Sequence, residues 1–204
     1  TIFTTVALKG LVDYDKLDKY YCDDGELPGH IDMTVSDALD LSAGSLGHGL
    51  SVGAGMALAM RIDAIENRIV VIMGDGEINE GSIWEAAMFI TRENLKNITI
   101  FIDCNKFQGY DETSKILTYD RNKNMWLALG YDVLEVDGHN FYEIETAFNN
   151  KSERPIVILA NTIKGKGVSY MENKLEWHYK SPSLEELRKG LEELEENNLW
   201  EQLL

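Results

Sequence analysis

Residues 69–77 read Ile69-Val70-Val71-Ile72-Met73-Gly74-Asp75-Gly76-Glu77, a β-branched run that ends abruptly in glycine, acid and glycine. A short apolar run bounded by turn residues predicts a buried strand, and the segment that follows has helical period. The turn therefore lies at the carboxyl end of a strand and just before a helix, where open α/β sheets bind their ligands. Glycines on both sides of Asp75 let the backbone turn sharply and approach a ligand, while the start of the next helix offers free N–H groups to an anion. An acid at an anion-binding turn repels its own ligand unless a cation lies between them. Asp75 thus points to a bridging divalent metal, and Mg2+ takes oxygen ligands, a few from protein and the rest from phosphate and water.

Working outward, Ile98–Ile102, Asp132–Val136 and Ile156–Ala160 are further short apolar runs and are predicted strands. Helical period is found over about 48–66, 80–95, 120–129 and 140–150. Strands alternating with helices predict an α/β fold, a mostly parallel sheet with helices on both faces. The first helix is rich in small residues (Gly49, Gly53, Ala54, Gly55, Ala57, Ala59) and is expected to be buried, while Trp84 and Met88 are expected in the core. The second strand runs into Asp103-Cys104-Asn105-Lys106-Phe107, which places Asn105 at the same sheet edge as Asp75, thirty positions later. Its neutral oxygen and a main-chain carbonyl near Phe107 complete a metal's protein ligands without adding repulsive charge.

Ser183 followed by Glu186 is a capping-box pattern, and Leu184, Leu187, Leu191 and Leu194 follow at helical spacing. The tail is predicted to be an acidic amphipathic helix with a solvated glutamate face, dividing the chain into a domain over 1–182 and a helix over 183–204. The 204 residues carry 35 Asp plus Glu against 19 Lys plus Arg, a formal charge of -16, which excludes a broad basic footprint for nucleic acid or an anionic membrane. No apolar stretch approaches the roughly 20 residues of a membrane span. Cys22 and Cys104 are too few for a disulfide framework and are expected to be free thiols, in keeping with a cytoplasmic protein. Thr1–Lys9 reads as the middle of a helix, so an upstream segment is expected to be missing.

Gly-Asp-Gly followed after about thirty residues by Asn is the thiamine-diphosphate fingerprint, and this version resembles the N-terminal, diphosphate-binding half of transketolase. The stretches that carry the resemblance are Gly29-His30-Ile31-Asp32, Ala43–Gly49, Gly74–Trp84 and Thr162–Gly167 followed by Glu176-Trp177-His178, covering most of residues 1–182. The resemblance implies that Asp75, Asn105 and the Phe107 carbonyl hold Mg2+, or Ca2+ or Mn2+ in its place. It further implies that Gly76, Glu77 and the backbone of Gly44, Ser45 and Leu46 contact thiamine diphosphate. By the same resemblance Lys164 approaches the cofactor and His178 lies near the diphosphate and the substrate oxygens. His30 would bond substrate hydroxyls, and Glu80 would lie at the subunit interface.

The family's activating glutamate belongs to a pyrimidine-binding domain that follows the present one in full-length enzymes. The resemblance therefore implies the N-terminal subunit of a split transketolase, active with a C-terminal partner subunit in a heterotetramer and passing a two-carbon ketol unit between sugar phosphates. The rival readings are another thiamine-diphosphate enzyme, of deoxyxylulose-phosphate synthase or dehydrogenase E1 type, then a non-catalytic assembly subunit, then a simple nucleotide-binding domain. The Gly44–Gly49 string and the Lys164–His178 block oppose the first, and the intact Asp75, Gly76 and Asn105 oppose the second. Neither Gly-x-Gly-x-x-Gly after a strand nor a P-loop supports the last. In two places the chain departs from the family: Tyr179 stands where Gly usually follows Trp-His, and Phe107-Gln108-Gly109-Tyr110 differs from the commoner loop wording. Both bear on substrate preference rather than on metal binding. His139, Cys104 and His48 are given no catalytic role, His139 and Cys104 reading as structural.

Overall fold

A computed structural model describes residues 2–117 and 122–196. The chain forms two compact units, Thr1–Gly49 and Leu50–Leu204. The smaller contains helix α1 (Ile2–Leu8) and short 3-10 turns at Tyr14–Lys19 and Met33–Val35. Phe3, Leu27 and Leu39 are buried together there, with Val6, Val12, Leu17, Ile31 and Val35 packed around them.

The larger unit is built on four parallel strands, β1 (Ile69–Gly74), β2 (Ile98–Cys104), β3 (Asp132–Asp137) and β4 (Ile156–Asn161), in the order β1-β2-β4-β3. Between and around them run α2 (Gly49–Ile62), α3 (Gly81–Arg92), α4 (Thr113–Ile116), α5 (Asn122–Leu129), α6 (Phe141–Phe148) and α7 (Leu184–Glu196). Because side chains alternate across a strand, each face of the sheet has its own core. Ile98, Ile100, Ile102 and Cys104 of β2 join Ile69 and Met73 of β1 and Val157 and Leu159 of β4 against Leu50, Ala54 and Ala57 of α2, Ile83, Ala87 and Ile90 of α3 and Trp126 of α5. On the opposite face Ile156, Ile158 and Val136 pack with Ala147 of α6, Phe101 and Ile144. The α/β fold with helices on both faces is thus the one that the alternating pattern predicts. No described helix is long and apolar enough to cross a membrane, and neither cysteine is in a disulfide, Cys104 being buried and Cys22 exposed.

Two expectations about packing need correction. Helix α2 buries one stripe (Leu50, Gly53, Ala54, Ala57) while Val52, Gly55 and Ala59 are exposed, so small residues there do not mean a helix buried all round. Met88 of α3 is about half exposed, because Ile83, Ala86, Ala87 and Ile90 define the inward face; Trp84 is partly buried, its ring 5.0 Å from that of Trp126.

The tail helix is present over Leu184–Glu196; residues 197–204 of the predicted helix, like residues 120–121 of the predicted 120–129 segment, lie outside the described residues. The capping box forms: the Glu186 N–H donates to Ser183 Oγ (3.2 Å) and the Ser183 N–H to Glu186 Oε2 (2.8 Å). Helix α7 is fastened to the loop before it. Ser169 donates from N–H and hydroxyl to the Glu193 carboxylate (2.5 and 2.7 Å), the Tyr170 hydroxyl donates to the Glu186 carbonyl (2.5 Å), and Gly190 leaves room for that hydroxyl, which a Cβ would meet at 2.8 Å.

The glycines of α2 differ in what surrounds them. A Cβ on Gly53 would meet Val71 Cγ2 at 2.5 Å, whereas one on Gly55 would point into open space. We expect Gly53→Ala to destabilise the protein by about 1–3 kcal/mol through overpacking despite its better helix propensity. Gly55→Ala should stabilise it by roughly 0.5–1 kcal/mol. Urea unfolding of the two variants beside the parent checks both signs.

Candidate functional site

Parallel strands bring their carboxyl ends to one edge of the sheet, and each delivers a residue there: Asp75 after β1, Asn105 after β2, His139 after β3 and Lys164 after β4. Gly74 pairs with Asp103, and the Asp75 N–H donates to the Asp103 carbonyl (3.1 Å), so β1 ends with Asp75 beside the last turn of β2. Asp75 is 0% exposed. Its Oδ2 accepts the Lys106 N–H (2.7 Å), and Lys106 holds a left-handed φ of 71° to present it. Such backbone costs of order 1–3 kcal/mol for a non-glycine residue and clusters at functional sites. The other oxygen, Oδ1, has no hydrogen bond. Burial pushes the Asp75 pKa up to about 6, while the Lys106 N–H, the Thr113 hydroxyl and the Gly76 N–H pull the other way; the last two lie near the carboxylate without making a hydrogen bond of ordinary geometry to it.

Asp75 Oδ1 has company. Asn79 Nδ2, Gln108 Nε2 and Thr113 Oγ1 are the other buried side-chain polar atoms without a partner among the described residues, and all four belong to the turn after β1 or the loop after β2. Buried polar groups are normally satisfied, so a concentration of unsatisfied ones at a sheet edge points to a missing ligand.

Asn105 is oriented by its neighbours. Its Nδ2 donates to Asp103 Oδ2 (3.0 Å), and the Thr162 hydroxyl donates to Asp103 Oδ1. Asn105 Oδ1 accepts the Phe107 N–H (3.0 Å), which leaves it a second lone pair. Phe107 and Glu112 face each other as an antiparallel bridge, flanked by hydrogen bonds from the Gln108 N–H to the Asp111 carbonyl and from the Thr113 N–H to the Lys106 carbonyl (2.9 Å each). That pattern makes Phe107 and Glu112 the pair without mutual hydrogen bonds and turns the Phe107 carbonyl out of the ladder. One carboxylate oxygen, one amide oxygen and one main-chain carbonyl could together offer a metal an all-oxygen donor set of single formal charge, of the kind that suits Mg2+ carrying phosphate oxygens. No group of three or more His, Cys, Asp or Glu among the described residues is placed to hold a metal by itself.

The other sequence-predicted residues lie in the turn after β1, in the segment after β4 or in the smaller unit. Gly76 packs against Gln108, whose Cγ a Cβ would meet at 2.8 Å. Glu77 opens the 3-10 turn Glu77–Asn79, and exposed Glu80 leads into α3, its carbonyl accepting the Ile83 N–H (3.1 Å). Lys164 is half-buried, and partial desolvation together with the Lys164 charge lowers the pKa of the largely exposed His178, which favours its neutral imidazole. In the smaller unit His30 lies against Gly44, whose Cβ position is 2.9 Å from His30 Cδ2 and whose φ of 128° suits glycine alone. There the Ala43 N–H donates to the Ile31 carbonyl (2.9 Å), the Ser45 carbonyl accepts the His48 N–H (3.2 Å), and Leu46 is exposed.

The sequence did not reveal Asp103 and Thr162, which orient Asn105, or Asn79 and Gln108, which join Asp75 among the unsatisfied groups. His139 is structural as expected, by a contact not foreseen: its Nε2 accepts the Ile163 N–H (2.8 Å), tying the turn after β3 to the residue before Lys164. The available signal was the alternation of β2, which puts Asp103 and Asn105 on one side of the chain.

These features coincide with a known family. Residues 1–194 match the transketolase, thiamine diphosphate binding domain, and the chain belongs to that family. It is 40% identical over 197 residues to SqwG of Clostridium sp. (strain MSTE9), a subunit of a 6-deoxy-6-sulfo-D-fructose transketolase, covering 95% of this chain and 72% of that one. It is 35% identical over 198 residues to one of the subunits of the apulose-4-phosphate transketolase of Phocaeicola vulgatus, covering 96% of this chain and 70% of that one. Among solved structures, the transketolase of Campylobacter jejuni superposes with a TM-score of 0.80 at 26% identity, covering 87% of this chain and 29% of the other.

A buried carboxylate whose folded pKa is raised costs nothing while protonated, below its unfolded value of 3.8, and costs most above about 6. The metal-free protein should therefore lose this part of its stability as pH rises through that window. We expect Asp75→Asn to gain stability over the metal-free parent progressively from pH 4 to 7, reaching about 1–3 kcal/mol. Thermal melts in chelator across that range read the difference; a constant difference would contradict the burial argument.

Proposed function

We propose that this chain is the diphosphate-binding subunit of a split transketolase, holding thiamine diphosphate through Mg2+. The buried Asp75 carboxylate carries the reading, because it is anchored at the Lys106 N–H, between Asn105 and Phe107 in the chain, and its charged form is disfavoured until a cation offsets it. Asp75, Asn105 Oδ1 and the Phe107 carbonyl would hold the metal, which neutralises the diphosphate in a chain of formal charge -16. Gly76, Glu77, Gly44, Ser45 and Leu46 would contact the cofactor, over a diphosphate-binding portion taken as residues 1–182 with 183–204 appended. Thiamine diphosphate, when bound, supplies the nucleophilic carbon that carries a two-carbon ketol unit from a ketose to an aldose.

The chain's own residues bind, orient and move protons. Lys164 offers a fixed positive charge to phosphate oxygens. His178, in the neutral form that its surroundings favour, accepts a proton at one ring nitrogen and donates from the other, so it can orient substrate hydroxyls, and His30 would do the same; general acid–base help of this kind is worth about 10²- to 10⁴-fold. Glu80, exposed ahead of α3, would face a neighbouring subunit. The names of the SqwG and apulose-4-phosphate relatives support a chain that works with a partner. The partner we assign is a C-terminal, pyrimidine-binding transketolase subunit, with a heterotetrameric assembly, sugar phosphates as substrates and the cytoplasm as location.

Titrating the chain together with that partner with thiamine diphosphate at millimolar Mg2+ should show saturable binding that chelation abolishes and Ca2+ or Mn2+ restores. Asp75→Ala should remove the metal-dependent affinity, and Asn105→Ala should weaken it about 10- to 100-fold. Ketol transfer from fructose 6-phosphate to an aldose phosphate is the activity expected. Metal-independent binding, or unchanged affinity in Asp75→Ala, would overturn the site.

A further inference from the structure

The two places where the sequence departs from the family touch each other. Tyr179 is 77% exposed, yet both ends of its ring system are occupied. Its ring stands edge-on to His178, with centroids 4.7 Å apart and planes at 67°, and its hydroxyl fills the space that a Cβ on Gly109 would take. Gly109 has no positive φ, so what this position requires is the absence of a side chain rather than a special backbone. The neighbours of the pair are fastened too. The Trp177 Nε1–H donates to the Tyr170 carbonyl (2.7 Å), the Lys180 ammonium lies 4.2 Å from the Trp177 ring centre, and Lys180 also pairs with Glu186 (2.6 Å). The ring faces solvent and is touched only at His178 and Gly109, so its open face beside a histidine is accessible to a ligand.

We propose that Tyr179 is a specificity-determining residue for the sugar, its ring packing against the C–H face of the substrate next to His178 and kept in position by the seat of its hydroxyl at Gly109. The inference rests on the transketolase reading of the site. An aromatic face suits a sugar because a polyol chain presents C–H groups on one side while its hydroxyls bond elsewhere, and the amphipathic phenol tolerates both surroundings. Tyr179 also links the loop bearing Asn105 and Phe107 to the loop bearing His178, so the ring spans the metal side and the substrate side.

The test uses the reconstituted complex of this chain with its partner subunit, thiamine diphosphate and Mg2+. Fructose 6-phosphate serves as donor, with aldoses of three to six carbons, with and without a terminal phosphate, as acceptors. Tyr179→Gly should raise the aldose KM about three- to thirtyfold, unequally across the series and with a smaller change in kcat, while the cofactor Kd stays that of the parent. Tyr179→Phe, which keeps the ring but loses the seated hydroxyl, should fall between the parent and Tyr179→Gly. Gly109→Ala should reproduce the Tyr179→Gly profile in part, have no further effect in the Tyr179→Gly background, and show a displaced Tyr179 ring in its crystal structure. An active parent with an unchanged acceptor profile in Tyr179→Gly overturns this inference alone, as does simple additivity of the two substitutions. A parent complex that binds cofactor but transfers no ketol unit from any of these sugars overturns the transketolase reading and this inference with it.

Discussion

The pairing of Gly74 with Asp103 at the end of two parallel strands is the constraint on which the candidate site depends. It sets Asp75 beside the turn that follows β2, where the Lys106 N–H meets one of its oxygens. A slip of one residue would move each side chain of β1 to the other face of the sheet, exposing Ile69, Val71 and Met73 and turning Val70 and Ile72 into the core. The register that buries the core and the register that brings Asp75 to Asn105 are therefore the same register. Hydrophobic burial, worth about 25 cal/mol per Å² of apolar surface, holds a polar geometry that would not form by itself.

That geometry has a cost which a ligand offsets. Asp75 loses its water and gains one hydrogen bond, so the negative form is disfavoured until a cation arrives. The Lys106 N–H, the Thr113 hydroxyl and the Gly76 N–H relieve this only in part, while Asp103, which accepts from Asn105 and Thr162, adds its own negative charge nearby. Asp103 instead fixes the amide of Asn105, settling which atom faces Asp103 and which faces the Phe107 N–H. Stability is given up at one point, which is the cost expected of the metal site proposed above.

The strands were legible because a fully buried parallel strand has little choice of residue, and each observed boundary falls within two residues of the predicted one. Helix ends were harder. Helix α3 stops before Asn94, a residue suited to the left-handed φ of 48° it adopts, whereas α2 stops before Ala64, which takes a φ of 54° without any such signal. Composition misled in α2, since Gly53 and Gly55 look alike in sequence and only the approach of Val71 distinguishes them. In the site, Asp75 and Asn105 could be read from strand ends and spacing. The Asp103–Thr162 and His139–Ile163 contacts could not, because they join segments far apart in the chain that only the β2-β4-β3 order brings together. Tyr179 and the wording of the Phe107–Tyr110 loop stood out in the sequence, while their contact at Gly109 needed the fold.

Helix α7 gives the molecule an uneven capacity for change. The residues around Asp75 are locked into strand ends and a shared core, where a substitution is felt at once. The loop before α7 leans instead on a helix at the end of the described chain, through Tyr170, Glu193 and the notch at Gly190. A substitution in α7 is therefore felt at Tyr170 and, through the Trp177 hydrogen bond to it, beside His178, while the strand ends around Asp75 keep their own support.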